Sequence, residues 1–350
     1  MVQTDVTLPD VETHPYAEGK GLPLFVEPTS EALRTDSEQV ADWYLDNRDA
    51  IHHLIIEAGA VVLRGFAITE TRHFGALIDS YPSPDFGYTG GVTPRGAIEG
   101  KVFEATSAPP QFRIPLHQEM SYLPQYPTRL AFWCKQPSET GGETILGDMR
   151  RFTHSLRPQF LAQVKDKGVL YQRNFRSPEW VTGHPVLDAR HRPWTDAFST
   201  TDRSKVEADC VAMGLEIEWE GDSLTTRYRG HGIVAHPETG QEVWFNQLVQ
   251  QATNVENLGP ELMEAYDTHY QGGSSQGGLP RPFEVFYGDG SDIDPDDLSS
   301  AYPLLDEVTV GFPWQAGDVM IVDNFFAAHG RNTFTGERDI QVALLGQGGA

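Results

Sequence analysis

Cysteine is almost missing from this chain. Its 350 residues carry two, Cys134 and Cys210. They lie far apart and in no metal-ligand spacing, which excludes a disulfide framework and a cysteine zinc site and predicts two buried, inert thiols. Long apolar runs are absent too: nothing approaches the roughly 20 residues needed to span a bilayer. The N-terminal MVQTDVTLPDV has no basic region followed by an apolar one, so it does not read as a secretory signal, and a cytoplasmic enzyme is the expectation. Positive charge is scarce. Against 50 acidic residues stand 26 lysines and arginines, a net charge of −24. That balance opposes nucleic-acid binding and anionic membranes, and it favours solubility. Internal repeats and long low-complexity tracts are also lacking.

Turn formers, by contrast, are plentiful: 34 glycines and 24 prolines are scattered along the chain and imply many short strands. The length is enough for a sizeable core without staples. The first 25 or so residues read as a polar, irregular arm. Thr35 to Glu38 matches a capping box, with one helix following it to about Glu57 and Gly59 as its stop. Residues 60–64 form a β-branched strand and 69–80 a second helix. Glycines 87, 90, 91, 96 and 100 mark a turn-rich stretch before the next strand. Strands are expected at 128–135, 143–148, 307–312, 318–322 and 339–346. Between 150 and 305 helices (155–165, 203–213, 259–270) alternate with strands (168–172, 215–219, 224–229, 242–245) and polar loops, and 271–280 reads as a flexible loop. The overall pattern is a β-rich core cut by one large insertion. Asp289 to Asp297, DGSDIDPDD, looks like a calcium loop, but no register puts Gly sixth and Glu twelfth, so a solvated acidic turn is expected.

The chemistry is concentrated in Leu116-His117-Gln118-Glu119-Met120. Alternate residues of a strand share a face, so His117 and Glu119 would project into one cavity as two legs of a facial metal triad. Such a triad leaves three octahedral positions open, enough for a two-point cosubstrate and O2. Twelve histidines are present, so the pair alone does not select this chemistry. His329 follows a strand with a polar end, Asp323-Asn324, as a ligand at a barrel rim would. His231 and His236 lie beside turns, and His52 and His53 lie on a helix; surface or hydrogen-bonding roles suit them better. Arg338 could clamp a carboxylate with two parallel hydrogen bonds, and Thr144 could add a hydroxyl. A surface ion pair to Glu337 or Asp339 is the plainer role for Arg338.

The stretch PLHQEMSYLPQYPTRLAFWCKQPSETGGETILGD resembles the taurine/2,4-dichlorophenoxyacetate dioxygenase superfamily of iron(II)/2-oxoglutarate oxygenases, as does DNFFAAHGRNTFTGERDIQVAL near the C-terminus. The likeness is closest to the H-x-E branch, which includes clavaminate-synthase-like proteins and aspartate β-hydroxylase-like enzymes of nonribosomal peptide pathways. HPETGQEVWFN and FYGDGSDI also resemble that branch. The resemblance implies a mainly β fold with flanking helices: a double-stranded β-helix (cupin-like jelly roll) in a single domain, 1–350. An arm and helix (1–58) would precede it, and a large α/β insertion (about 150–305) would interrupt it. It makes His117, Glu119 and His329 the iron ligands and Thr144 and Arg338 the 2-oxoglutarate binders. Where many relatives carry a second arginine this chain reads Ile340-Gln341-Val342, which leaves Arg331 or Arg113 for the other contact. The implied reaction consumes O2 and 2-oxoglutarate and hydroxylates an unactivated C–H bond of an amino acid or its derivative, free or carrier-bound, in secondary metabolism. Desaturation or ring closure stays open. Halogenating relatives have a small residue where Glu119 stands, so halogenation is disfavoured. Arg113, Tyr122, Trp244 and Asn246 are the candidate substrate contacts. A peptidyl carrier, itself acidic, would need a basic patch such as Arg150, Arg151 and Arg157. A homo-oligomer is compatible with all of this. A non-catalytic regulatory protein and a zinc hydrolase are the rival classes.

Overall fold

The structure, a computed structural model, describes residues 6–17, 19, 21–84, 97–105 and 108–349. Two sheets carry the core. The larger runs Val11–Pro15, Leu24–Pro28, Ala60–Leu63, Val319–Asp323, Arg129–Gln136, Asp339–Leu345, Val102–Glu104, Ala97–Glu99. The smaller runs Thr309–Gly311, Thr144–Asp148, Ala327–Arg331, Ile114–His117. Successive core strands visit the sheets in turn. The chain goes small, large, small at 114–117, 129–136 and 144–148, and later small, large, small, large from 309 to 345. That alternation is the winding of a jelly roll.

Period-two side chains explain why these strands read as unbroken apolar runs. In Arg129–Gln136, Leu130 and Phe132 point inward, into a cluster shared with Ile145 and Ala328 of the small sheet. Ala131 and Trp133 point outward, into a second cluster with Leu54, Ile55 and Phe74 of the N-terminal helices. Both faces are covered, so no polar alternation is needed. Each fully buried large side chain of this kind contributes about 1.5–3 kcal/mol.

The N-terminal region departs from its sequence reading in three ways. The expected irregular arm is a hairpin. Val11–Pro15 pairs antiparallel with Leu24–Pro28, which adds in parallel to Ala60–Leu63. Its first strand is an exposed edge, so it lacks the apolar alternation that betrays most strands. The capping residue is Asp36, whose side chain accepts from the Glu38 and Gln39 amides, while Thr35 ends the preceding turn Glu31–Thr35. The single helix is two, Ser37–Asp46 and Arg48–Ala58. They part at Asn47, whose Nδ2 donates back to the Trp43 carbonyl at 2.8 Å. Gly59 closes the second at φ 84°, a left-handed position that suits glycine. Glycines 87, 90, 91 and 96 lie outside the described residues.

Between Asp148 and Thr309 the chain builds a four-stranded sheet, Glu216–Glu220, Ser223–Gly230, Val169–Phe175, Phe283–Tyr287. Helices including Met149–Ser155, Pro158–Lys167, Arg203–Ala212 and Pro260–Tyr270 accompany it. A 14-residue helix, Pro295–Val308, was not foreseen because Pro303 sits inside it. The loop expected to be flexible at 271–280 holds a short turn, Ser274–Gln276, pinned where the Ser274 amide and hydroxyl donate to Glu284. The acidic stretch engages protein groups: Asp289 pairs with Lys167, Asp294 caps the helix and Asp297 pairs with Arg157. Burial pushes the Cys134 thiol up to about 12 and the Cys210 thiol up to about 11, so both are inert at neutral pH. Among the described residues no helix is long and apolar enough to cross a membrane.

Candidate metal centre and cosubstrate pocket

His117 ends the strand Ile114–His117 and lies directly opposite His329 on the neighbouring antiparallel strand. Glu119 does not continue that strand. It stands in the turn beyond it, where Met120 takes a φ of 57°. The turn, not strand alternation, carries the carboxylate back to the histidines. Asn324 holds it there: its Oδ1 accepts from the Glu119 amide at 2.8 Å and its Nδ2 donates to the Glu119 carbonyl at 3.0 Å. Gln118, between the two ligands, points away and donates to the Trp244 and Phe325 carbonyls. The residue between the ligands thus anchors the loop to the rest of the fold.

Ligand atoms of His117, Glu119 and His329 all fall within 4.8 Å of one another, and no other such group of His, Cys, Asp or Glu occurs among the described residues. Glu119 Oε2 lies 3.7 Å from His329 Nε2. His117 Nδ1 is 2.9 Å from the Pro115 carbonyl, so it carries the proton and Nε2 offers a lone pair to a metal. Two imidazoles and one carboxylate, converging from one side, fit a divalent iron and leave the other side open. Gly330 is required beside this centre. A Cβ there would lie 2.5 Å from the Ile114 carbonyl oxygen and 2.9 Å from that of Pro115.

A cavity of about 540 Å³ opens over the triad. Thr144 and Arg338 line it together with His117, Glu119 and His329. Thr144 is cross-strand partner of Arg331, so both share a face of the small sheet with His329. The Thr144 hydroxyl accepts from Trp314 Nε1 at 3.1 Å, which leaves its own proton free to donate. Arg338 makes no ion pair with Glu337 or Asp339. Asp339 pairs with Lys135, and Arg338 Nε donates to the Gly142 carbonyl at 3.0 Å. Its two terminal nitrogens make no hydrogen bond to the described residues and can take a carboxylate. Burial, reinforced by the Arg331 charge, lowers the Arg338 pKa to about 10, so it is cationic at neutral pH.

The remaining candidates divide. Arg113 and Tyr122 line the cavity. Arg331 lines it too, but its terminal nitrogens donate to the carbonyls of Ala108, Pro109 and Phe112, which turns it toward holding the cavity wall. Trp244 and Asn246 are not on the cavity. Trp244 is fully buried edge-on to Phe152, with ring centroids 5.4 Å apart. Asn246 is spent on the Gly232 carbonyl and the Leu248 amide. Among the other histidines, His236 is a satisfied hydrogen bonder. It pairs with buried Asp323 at 3.1 Å and accepts from two backbone amides. Sequence reading missed Asn324, Gln118 and Trp314, whose roles depend on contacts across more than a hundred residues.

Residues 26–344 match the model of the taurine catabolism dioxygenase TauD, TfdA family. The chain belongs to this family. It is an iron(II)/2-oxoglutarate-dependent oxygenase, and O2 completes its cofactor set. It is 31% identical over 297 residues to the dapdiamide synthesis protein DdaC of Enterobacter agglomerans, covering 84% of each chain. It is 27% identical over 346 residues to a clavaminate synthase-like protein of Arabidopsis thaliana, covering 94% of this chain and 95% of that one. The solved structure of PvcB, an iron, α-ketoglutarate-dependent oxygenase from an isonitrile synthetic pathway, superposes with a TM-score of 0.52 at 15% identity, over 98% of this oxygenase and 94% of that chain. A taurine dioxygenase from Burkholderia xenovorans superposes at 0.50 and 15% identity, over 97% and 90%. These superpositions agree with the jelly-roll winding of the sheets.

Proposed function

We propose that this oxygenase hydroxylates an unactivated C–H bond of a free amino acid or small amino-acid derivative in secondary metabolism. His117, Glu119 and His329 hold the iron. Arg338 and Thr144 bind the distal carboxylate of 2-oxoglutarate, with Arg113 and Arg190 as further cations on the same cavity. Iron(II) and 2-oxoglutarate supply the oxidising chemistry, which consumes O2 and releases succinate and CO2. Phe132, Ile114 and Ile340 give the cavity apolar walls that keep stray water from the reacting bond. Residues 1–350 act as one domain in this reading, and the segment about 150–305 is an insertion that closes the pocket.

One observation carries the amino-acid assignment. Gln250 lines the cavity, and its Oε1 is buried without a hydrogen-bond partner. A buried acceptor left open is costly, so it suits a ligand that donates, as an amine or amide does. DdaC, a dapdiamide synthesis protein, is a relative of matching background. A free substrate is favoured over a carrier-bound one because the basic patch is largely spent. Arg150 is bound to Asp148 and to the Glu57 and Ala58 carbonyls, and Arg157 to Asp297.

The experiment is a mass-spectrometric screen of amino acids and carrier-bound aminoacyl groups with iron(II), 2-oxoglutarate and O2. A +16 product from a free amino acid or derivative supports the proposal. Turnover of carrier-bound substrates alone, or a −2 product, replaces it with a carrier-dependent oxygenase or a desaturase.

A further inference from the structure

Arg173 lies on the strand Val169–Phe175, directly across from Phe283. Its guanidinium sits between two rings, 5.1 Å from the centroid of Phe175 and 5.3 Å from that of Phe283. Its Nε is buried and meets no acceptor. No carboxylate among the described residues pairs with it. Burial accordingly lowers its pKa. The half-buried guanidinium is held by aromatic rings and by no acid, which leaves it able to take an anion from the adjoining space.

It faces a second cavity, of about 210 Å³. Three other charged side chains line this space in earnest. Arg227 is committed to Gln172 and Glu218, and Asp209 to Lys205. Arg192 donates to the Asp196 carbonyl and, like Arg173, has no acidic partner. In a chain of net charge −24, two arginines without acids on one small cavity stand out. The two cavities adjoin: Tyr122 and Gln251 line both, and Phe283, beneath the Arg173 guanidinium, lines the larger. Arg173 therefore stands beside the wall that the space over the metal centre shares with the smaller one.

We propose that Arg173 is a specificity-determining residue that binds a carboxylate at the end of the substrate remote from the oxidised C–H bond. The substrate class is then an elongated amino-acid-derived acid, with its reacting carbon over the triad and its chain running past Tyr122 and Gln251. The two flanking rings hold the guanidinium plane, which favours the bidentate geometry of a carboxylate over a single point charge. At roughly 30 Å³ per water, the small cavity holds a carboxylate and a few carbons. This inference rests on the oxygenase reading, which wild-type succinate release from iron(II) and 2-oxoglutarate alone tests separately.

The test is calorimetric titration of the full chain with Mn(II) and saturating N-oxalylglycine, so that the cosubstrate position is filled. Glutarate, glutaramide and inorganic phosphate are the probes. Glutarate is expected to bind and glutaramide not to bind. Arg173→Gln should weaken glutarate by about tenfold or more, the scale of a charge-assisted hydrogen bond, and Arg173→Lys by less. Melting curves check that both variants fold; where Arg173→Gln melts lower through loss of the ring contacts, Arg173→Lys carries the comparison. Equal glutarate binding by wild type and both variants, equal binding of glutaramide, or no glutarate binding by wild type overturns the proposal. Phosphate bound more tightly than glutarate, and lost in Arg173→Gln, also overturns it by assigning the site to a phosphate.

Discussion

His117 and His329 face each other across neighbouring antiparallel strands with ring centroids 4.4 Å apart, although they stand far apart along the chain. Strand pairing alone brings the two imidazoles together. The carboxylate of the triad needs a separate device, the Asn324 clamp on the Glu119 backbone.

That clamp makes Asn324 a positioning residue. Asn324→Ala leaves all three ligands in place but frees the turn that carries Glu119, and iron affinity should fall about 10–100-fold. Glu119→Ala should lose more than that. Metal titration of the apo protein checks both, and unchanged affinity in Glu119→Ala would remove it from the triad.

Gly330→Ala puts a methyl group against two backbone carbonyls next to His329. Neither neighbour is a flexible side-chain tip, so the small sheet must shift. A loss of about 1–3 kcal/mol is expected from overpacking, with weaker iron binding. Chemical denaturation of the metal-free protein separates the two effects.

Arg338→Ala should raise the KM for 2-oxoglutarate far more than the KM for substrate. Trp314→Phe should have a smaller effect in the same direction, because it removes the hydrogen bond that orients the Thr144 hydroxyl. The lowered Arg338 pKa adds a sign: the guanidinium is charged below about 10, so 2-oxoglutarate binding should hold through neutral pH and weaken as pH rises toward that value. A KM-against-pH profile reads this directly.

His191 gives an acid limit to stability. Burial, with the Arg176 charge adding, lowers its pKa to about 4, so the folded protein keeps the ring neutral. The unfolded chain takes up that proton below about 6.5. Its contribution is therefore complete above pH 6.5 and is lost as pH falls toward 4, a change on the order of 3 kcal/mol. Melting curves of the metal-free protein between these limits should show the slope, and His191→Asn should flatten it.

The jelly-roll core was legible because its strands are apolar on both faces and end in glycine turns. The residues 128–135 and 318–322 show this, and both matched observed strands closely. Thr144 and Arg338 stood out through the resemblance of the stretches that carry them, and both line the cavity. The exposed edge strand Val11–Pro15 was not, since a strand buried on neither side carries no pattern. Trp244 misled because an aromatic beside a polar pair reads equally as a pocket wall or as core, and packing against Phe152 decided for the core.

The amino-acid sequence by itself determined the family: the motifs around His117, Glu119 and His329 and those carrying Thr144 and Arg338 are local patterns, and local patterns survive in one dimension. Only the tertiary structure decided how Glu119 reaches the histidines, which arginines remain free for ligands and where Arg173 stands. Those depend on hydrogen bonds and ring contacts between segments far apart in the chain, and no spacing rule encodes them.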